Sequence, residues 1–256
     1  MTKTFNTLVL GSALVLLAAC ASTSQPGRST TLAENVKGSG FMPDVYPMMK
    51  PGKEGESLLL YRNPKFASSQ AFSRYNKIYL DPVKLYGDAN SKLHDAPQEQ
   101  SAAIAQGLYD QLHEQLGKDY QMVNQAGPDT LHLSVAIIDA QASDSSMKAM
   151  SYVPIPLGVP GAKMATMQTL SHTTGKPPFA GQVTVEGKMA DAGTGEVIAA
   201  MIDRRVGARK PIIGLFESST YDSWSDVSEA ERYWAEQMRY QFCMRRAAGN
   251  CTKASE

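Results

Sequence analysis

Apolar residues recur along this chain at two different periods, and the order in which the periods alternate is what most narrows its fold. From Pro97 to Leu116, Ile104, Leu108, Leu112 and Leu116 return every four residues, with Ala105 beside them and Gln and Glu elsewhere. That spacing predicts an amphipathic helix, with Gly117 as its natural stop. The period then drops to two. Leu131, Leu133, Val135 and Ile137 alternate with His132, Ser134 and Ala136, and Val183, Val185 and Met189 alternate with Thr184, Glu186 and Lys188. Both read as half-buried strands. Asp191-Ala192-Gly193-Thr194-Gly195 carries the turn chemistry of a hairpin, with Val197 to Ile202 returning as the partner strand. The helical period comes back from about Asp226 to Arg246 as Ala230, Trp234, Met238 and Phe242, before Gly249. Either Asp226 with Glu229 or Ser228 with Glu231 supplies a capping box. The expected fold is α+β: a mainly antiparallel sheet with two amphipathic helices packed on one face.

The folded part is expected to begin near Leu58-Leu59-Leu60-Tyr61, and Asn63-Pro64 marks a turn. Ile78, Leu80, Val83 and Leu85 give a further strand, its parity changing at Asp81-Pro82. Proline lacks the ladder donor, so that strand is broken, bulged or at an edge there. Between Ala142 and Phe179 lies a long segment that is neither periodic nor polar. It carries five prolines and the apolar residues Met147, Met150, Tyr152, Val153, Ile155, Leu157, Val159, Met164 and Met167. A connection of that length in a compact domain is usually functional or mobile, and methionines suit adaptable contacts. Met147, Met150, Tyr152, Ile155, Leu157, Met164 and Met167 are therefore the candidate interaction surface. The alternative is that they cover the open sheet face or an edge.

At the N-terminus, Lys3 precedes an apolar run from Leu8 to Leu17 broken only by Gly11 and Ser12. This is the pattern of a secretory signal, too short to span a bilayer as a mature helix. Leu17-Ala18-Ala19-Cys20 resembles the lipobox of bacterial lipoproteins, in which the cysteine is acylated and becomes the new N-terminus. The expected division is a signal peptide over 1–19, a flexible tether over 20–53 from lipidated Cys20, one domain over 54–248, and a tail over 249–256. Residues after Cys20 are rich in Ser, Thr, Pro and Gly, as a tether requires. Ala21, where sorting to the inner membrane would favour aspartate, points by the same resemblance to the periplasmic face of the outer membrane.

Composition excludes more than it names. The 256 residues balance 25 basic against 25 acidic side chains. No basic surplus exists to neutralise a phosphate backbone, which argues against nucleic acid as a partner. Of three cysteines, Cys20 goes to the anchor, which leaves Cys243 and Cys251 as a disulfide candidate in an oxidising compartment. The motifs of chemistry are near misses. His113-Glu114-Gln115-Leu116 begins like a zinc-protease helix, but Gly117 stands where the second imidazole belongs. Ser145-Ser146-Met147-Lys148 matches a Ser-x-x-Lys tetrad without a Lys-Thr-Gly strand. His94, His113, His132 and His172 have no ligand spacing, and Asp203-Arg204-Arg205 reads as a paired surface cluster. No metal site, cofactor or catalytic residue is assigned from these patterns.

Several stretches together resemble the bacterial lipoprotein family known as domain of unknown function 3313. They are Ser39-Gly40-Phe41; Arg74 to Val83; Glu186-Gly187-Lys188-Met189-Ala190-Asp191 with Thr194-Gly195-Glu196; Asp203-Arg204-Arg205; Asp222 to Val227; and Tyr233-Trp234-Ala235. The resemblance implies an exported, lipid-anchored periplasmic domain and brings no activity with it. The expectation is a non-enzymatic binding or auxiliary component of an envelope complex, held to the membrane by lipid and meeting an unknown envelope protein or ligand. The alternatives are an envelope hydrolase acting on wall or lipid material and a small-ligand carrier.

Overall fold

A computed structural model describes residues 23–25, 38–87, 91, 93, 97–141, 181–207, 224–247 and 249–254. Cys20 and the Met147–Met167 candidates lie outside the described residues. Nine strands form one sheet: β1 Thr23–Ser24, β2 Lys50–Pro51, β3 Leu59–Arg62, β4 Lys77–Leu80, β5 Lys84–Leu85, β6 Gln121–Val123, β7 Thr130–Gln141, β8 Gln182–Asp191 and β9 Val197–Gly207. The α-helices among the described residues are α1 Ser69–Ser73, α2 Gln98–Gly117 and α3 Ser225–Arg245.

The main path of the sheet runs β2-β3-β9-β8-β7-β4-β6, with β1 beside β9 and β5 beside β7. The architecture is α+β as expected, but the sheet is mixed. β3, β9, β8 and β7 pair antiparallel, whereas β4 and β5 run parallel to β7, and β6 parallel to β4. The physical reason is α2. A 20-residue helix between β4 and β6 carries the chain back across the sheet, so the next strand re-enters in the original direction. Asp81-Pro82 breaks the preceding strand where expected: β4 stops at Leu80 and β5 resumes at Lys84.

Alternation settles which side faces the helices. Leu131, Leu133, Val135 and Ile137 of β7 register with Asp191, Met189, Gly187 and Val185 of β8. With Ile78, Leu80, Leu108, Leu112, Leu116, Trp234 and Phe242 they make the main core beneath α2 and α3. A bulge at Ile138 shifts the register, after which Ala140 takes the core-facing position opposite Val183. α3 begins at Ser225, capped by Trp224 without a side-chain hydrogen bond. Neither expected capping box forms at its first turn. Asp226 instead reaches across to accept from the Gly181 amide at 2.9 Å.

The other face is covered by a stretch expected as tether. Met42, Val45 and Leu58 are buried there against Ala200 and Ile202, with Phe41, Tyr46 and Met49 packed around them. Upstream, Thr23 and Ser24 pair with Gly207 and Val206. The span 20–53 therefore supplies strand and core where it is described, because its few apolar residues fall where β3, β8 and β9 leave a face open. At the C-terminus, Cys243 and Cys251 form a disulfide, Cα atoms 5.6 Å apart. It ties the end of α3 to the tail, in which Ala254 is buried.

Candidate functional site

Buried carboxylates organise the polar interior, each met by donors from a distant part of the chain. On the covered face, Glu186 is wholly buried. Its carboxylate accepts from the Ser39 amide at 2.9 Å, the Ser39 hydroxyl at 3.2 Å and the Tyr46 hydroxyl at 2.6 Å. The Tyr46 oxygen in turn accepts from the Gly40 and Met42 amides. Ser39-Gly40-Phe41 is thus a latch: serine supplies two donors, Gly40 turns the chain at φ 97°, and Phe41 packs on the sheet. Burial and the adjoining carboxylate together raise the Tyr46 hydroxyl above its ordinary range.

At the β8–β9 turn, Asp191 accepts from the Gly193 and Thr194 amides at 2.8 and 2.9 Å and from the Tyr75 hydroxyl at 2.6 Å, and pairs with Arg74. Burial pushes the Asp191 carboxyl up, but these donors outweigh it and hold the group below its usual range. Burial and the same carboxylate push Tyr75 up to about 12.

Asp203 and Arg205, expected as a surface cluster, are almost fully buried, on the helix-facing side. Asp203 accepts from Trp234 Nε1 at 2.7 Å, Gln25 Nε2 at 2.7 Å and the Leu58 amide at 3.2 Å. Burial raises its carboxyl despite these donors and the nearby Arg205. The Arg205 guanidinium lies 3.6 Å from the centroid of the Tyr233 ring. Arg204 points to the other face, where its Nε donates to Thr184 at 2.8 Å. A strand alternates its faces, so three consecutive polar residues cannot share one surface.

Above Asp203, between α3 and β3, β9 and β8, an apolar cleft of about 130 Å³ is lined by Leu60, Gly187, Met201, Trp234, Met238 and Phe242. Gly187 opens it. It stands in the middle of β8 facing the helices, and a Cβ there would meet only Met201 at an ordinary 3.5 Å. The missing side chain leaves the space between sheet and helix unfilled. Arg62 and Arg245 are also among the cleft's lining. Arg62 pairs with Glu56 at 2.8 Å. Burial, and then the neighbouring Arg62 charge, lower Arg245 below the ordinary arginine range. Gln237, also in the lining, keeps its Oε1 buried with no hydrogen-bond donor among the described residues. A second hollow of about 430 Å³ lies between β5 and α2, walled by Val83, Leu85, Ala105 and Tyr109.

His132, Asp81 and Ser134 do come together, though not as a nucleophile and its base. His132 Nε2 and the Ser134 hydroxyl both engage Asp81 Oδ2, at 2.9 and 2.7 Å. The carboxylate sits between them, so the serine proton points at aspartate rather than imidazole, and the relay order is lost. Burial pushes the Asp81 carboxyl up, but the bonds from Ser134 and His132 prevail and lower it. His113 stacks on Tyr109, ring centroids 5.9 Å apart. Among the described residues no group of three or more His, Cys, Asp or Glu is placed to hold a metal. No described helix is long and apolar enough to cross a membrane.

The sequence offered signals for two of these features that periodicity alone passes over. Gly187 interrupts an otherwise side-chain-bearing strand, and Asp203 falls on the same parity as Met201, inside a strand with a buried face.

A single-sheet α+β domain with a carboxylate-latched cover and an apolar cleft is the class these features define. The chain belongs to the family described as protein of unknown function DUF3313, whose model matches residues 37–238. No curated protein matches it. Among solved structures it is similar to the PelC dodecamer from Paraburkholderia phytofirmans, at 12% identity, TM-score 0.29, over 62% of this chain and 89% of that one. It is also similar to the hypothetical protein CT253 from Chlamydia trachomatis, at 11% identity, TM-score 0.37, over 68% and 99%. A DUF4136 family protein from Bacteroides thetaiotaomicron matches at 13% identity, TM-score 0.30, over 70% and 95%. At these scores the likenesses carry no argument.

Proposed function

We propose that this chain is an exported lipoprotein, anchored through acylated Cys20 at the periplasmic face of the outer membrane, and that it works by binding rather than by catalysis. It serves as an auxiliary component of an envelope complex. The observation that carries the binding reading is the cleft. Its walls are aromatic, aliphatic and methionine side chains, and its deepest charged group, Asp203, is already engaged by Trp234, Gln25 and Leu58. What the cleft offers an occupant is apolar surface with the Arg245 guanidinium among its lining. This suits an apolar group that ends in an anion. Leu17-Ala18-Ala19-Cys20 supports the anchor, and two or more acyl chains hold a protein stably at about 0.8 kcal/mol per buried methylene. The disulfide is in keeping with an oxidising compartment. The Met147–Met167 surface remains part of the proposal as a second contact region.

The test compares wild type, Cys20→Ala and Gly187→Leu by crosslinking in cells, capture from membranes and mass spectrometry, with each variant's thermal melt as a folding control. The expected result is a partner or ligand recovered with wild type and lost from Gly187→Leu, whose side chain grows into the cleft. A recovery unchanged by Gly187→Leu in a folded protein removes the cleft from the reading. Membrane fractionation unchanged by Cys20→Ala removes the anchor.

A further inference from the structure

Residues 23–25 are fixed to the sheet. Thr23 and Ser24 pair antiparallel with Gly207 and Val206, at the last two positions of β9. Gln25 then ties the chain down, donating from Nε2 to Asp203 Oδ1 and to the Glu56 carbonyl, each at 2.7 Å. Only Ala21 and Ser22 separate Cys20 from this strand. Three Cα–Cα steps reach at most about 11 Å. Chain length alone keeps Cys20 within that radius of Thr23, whose partner Gly207 stands at one end of the sheet. That end is shared: β7 finishes there at Gln141, β8 starts at Gln182, and α3 starts close by, its Asp226 bonded to the Gly181 amide.

We propose that the domain is held directly against a phospholipid surface, with the β7–β8–β9 end of the sheet facing the lipid and the strands rising away from it. This rests on Cys20 being acylated. An acylated cysteine sits at headgroup level, so a reach of about 11 Å keeps Thr23, and the end of β9 it pairs with, close to that level. The half-buried Trp224, at the start of α3 two residues from Asp226, then lies at the depth where tryptophan is favoured at a membrane–water interface. β9 has eleven residues and extends about 34 Å, so among the described residues the Asp191–Glu196 turn at its far end stands well away from the lipid.

The test uses the mature acylated protein in phosphatidylethanolamine–phosphatidylglycerol vesicles. Intact-mass analysis of the N-terminal peptide reports acylation, and quenching of tryptophan emission by lipids brominated near the headgroup reports contact. Trp234 is buried and hydrogen-bonded to Asp203, and a Trp224→Phe variant measures its contribution separately. The expected result is quenching of wild type that is absent from Trp224→Phe, and that falls to the level of unacylated protein when a twenty-residue Gly/Ser spacer is inserted after Ser22. Acylated wild type quenched no more than its spacer variant overturns the orientation while leaving the anchor intact. A peptide without acyl mass overturns both.

Discussion

Glu186 shows how one side chain can hold a face of the domain in place. Its three donors come from Ser39 and Tyr46, more than a hundred residues away, so removing one leaves a buried charge underserved rather than merely losing a bond. Tyr46→Phe is expected to lower stability by about 1.5–3 kcal/mol, the range for hydrogen bonds to charged groups, as a shift in the urea midpoint at constant slope. Glu231 is a different case. It is buried on α3 against Gly107 of α2, whose Cβ, if present, would lie 2.7 Å from Glu231 Oε2. Burial pushes this carboxyl from 4.5 up to about 8. The folded state therefore prefers the protonated acid, and stability that is complete below pH 4.5 is lost as pH rises towards 8. Glu231→Gln is expected to match wild type near pH 4 and to exceed it at pH 8, by an amount on the order of a few kcal/mol in urea unfolding. None of these partners is legible locally. Glu186 and Asp203 sit in alternating runs whose polar members look solvated, and only the fold shows what covers them.

At the scale of elements, legibility follows from local physics. The four-residue period located α2 to within a residue at each end, the two-residue period located β7 and β8, and the turn chemistry at Asp191–Gly195 placed β9 as their partner, though only to Ile202 of a strand that runs to Gly207. The parallel placement of β4 beside β7 escaped, since no local pattern records the neighbour a strand takes. β1 escaped for a related reason: two short polar residues make a strand only because β9 offers its edge there. The disulfide was read from compartment and count. With a sequence separation of eight, it is worth about 2.5 kcal/mol by the loop-entropy estimate. Cys243→Ala with Cys251→Ala is expected to cost that much in global stability. It should also speed hydrogen exchange across residues 249–254, where Ala254 is the buried contact.

For the whole molecule, the apolar cleft and its floor decide what can be changed. Gly187→Ala adds a methyl at ordinary contact distance from Met201. It is expected to leave stability within about 1 kcal/mol of wild type, or to raise it slightly by lowering unfolded-state entropy. Thermal unfolding checks this, and such a result establishes the space above Gly187 as a built feature open to the larger leucine. The candidate surface at Met147–Met167 had a compositional signal, whereas the cleft had only a missing side chain in one strand, a mark too faint to read without the helix above it.

The contact between Gln25 and Asp203 spans 178 positions of sequence, and that separation has a consequence for timing. The docking edge for residues 23–25 does not exist until β9 has been made and paired. Until then Thr23 and Ser24 have no strand to pair with, and Gln25 has no carboxylate to meet. The front of the described chain is therefore fixed only after its back has folded.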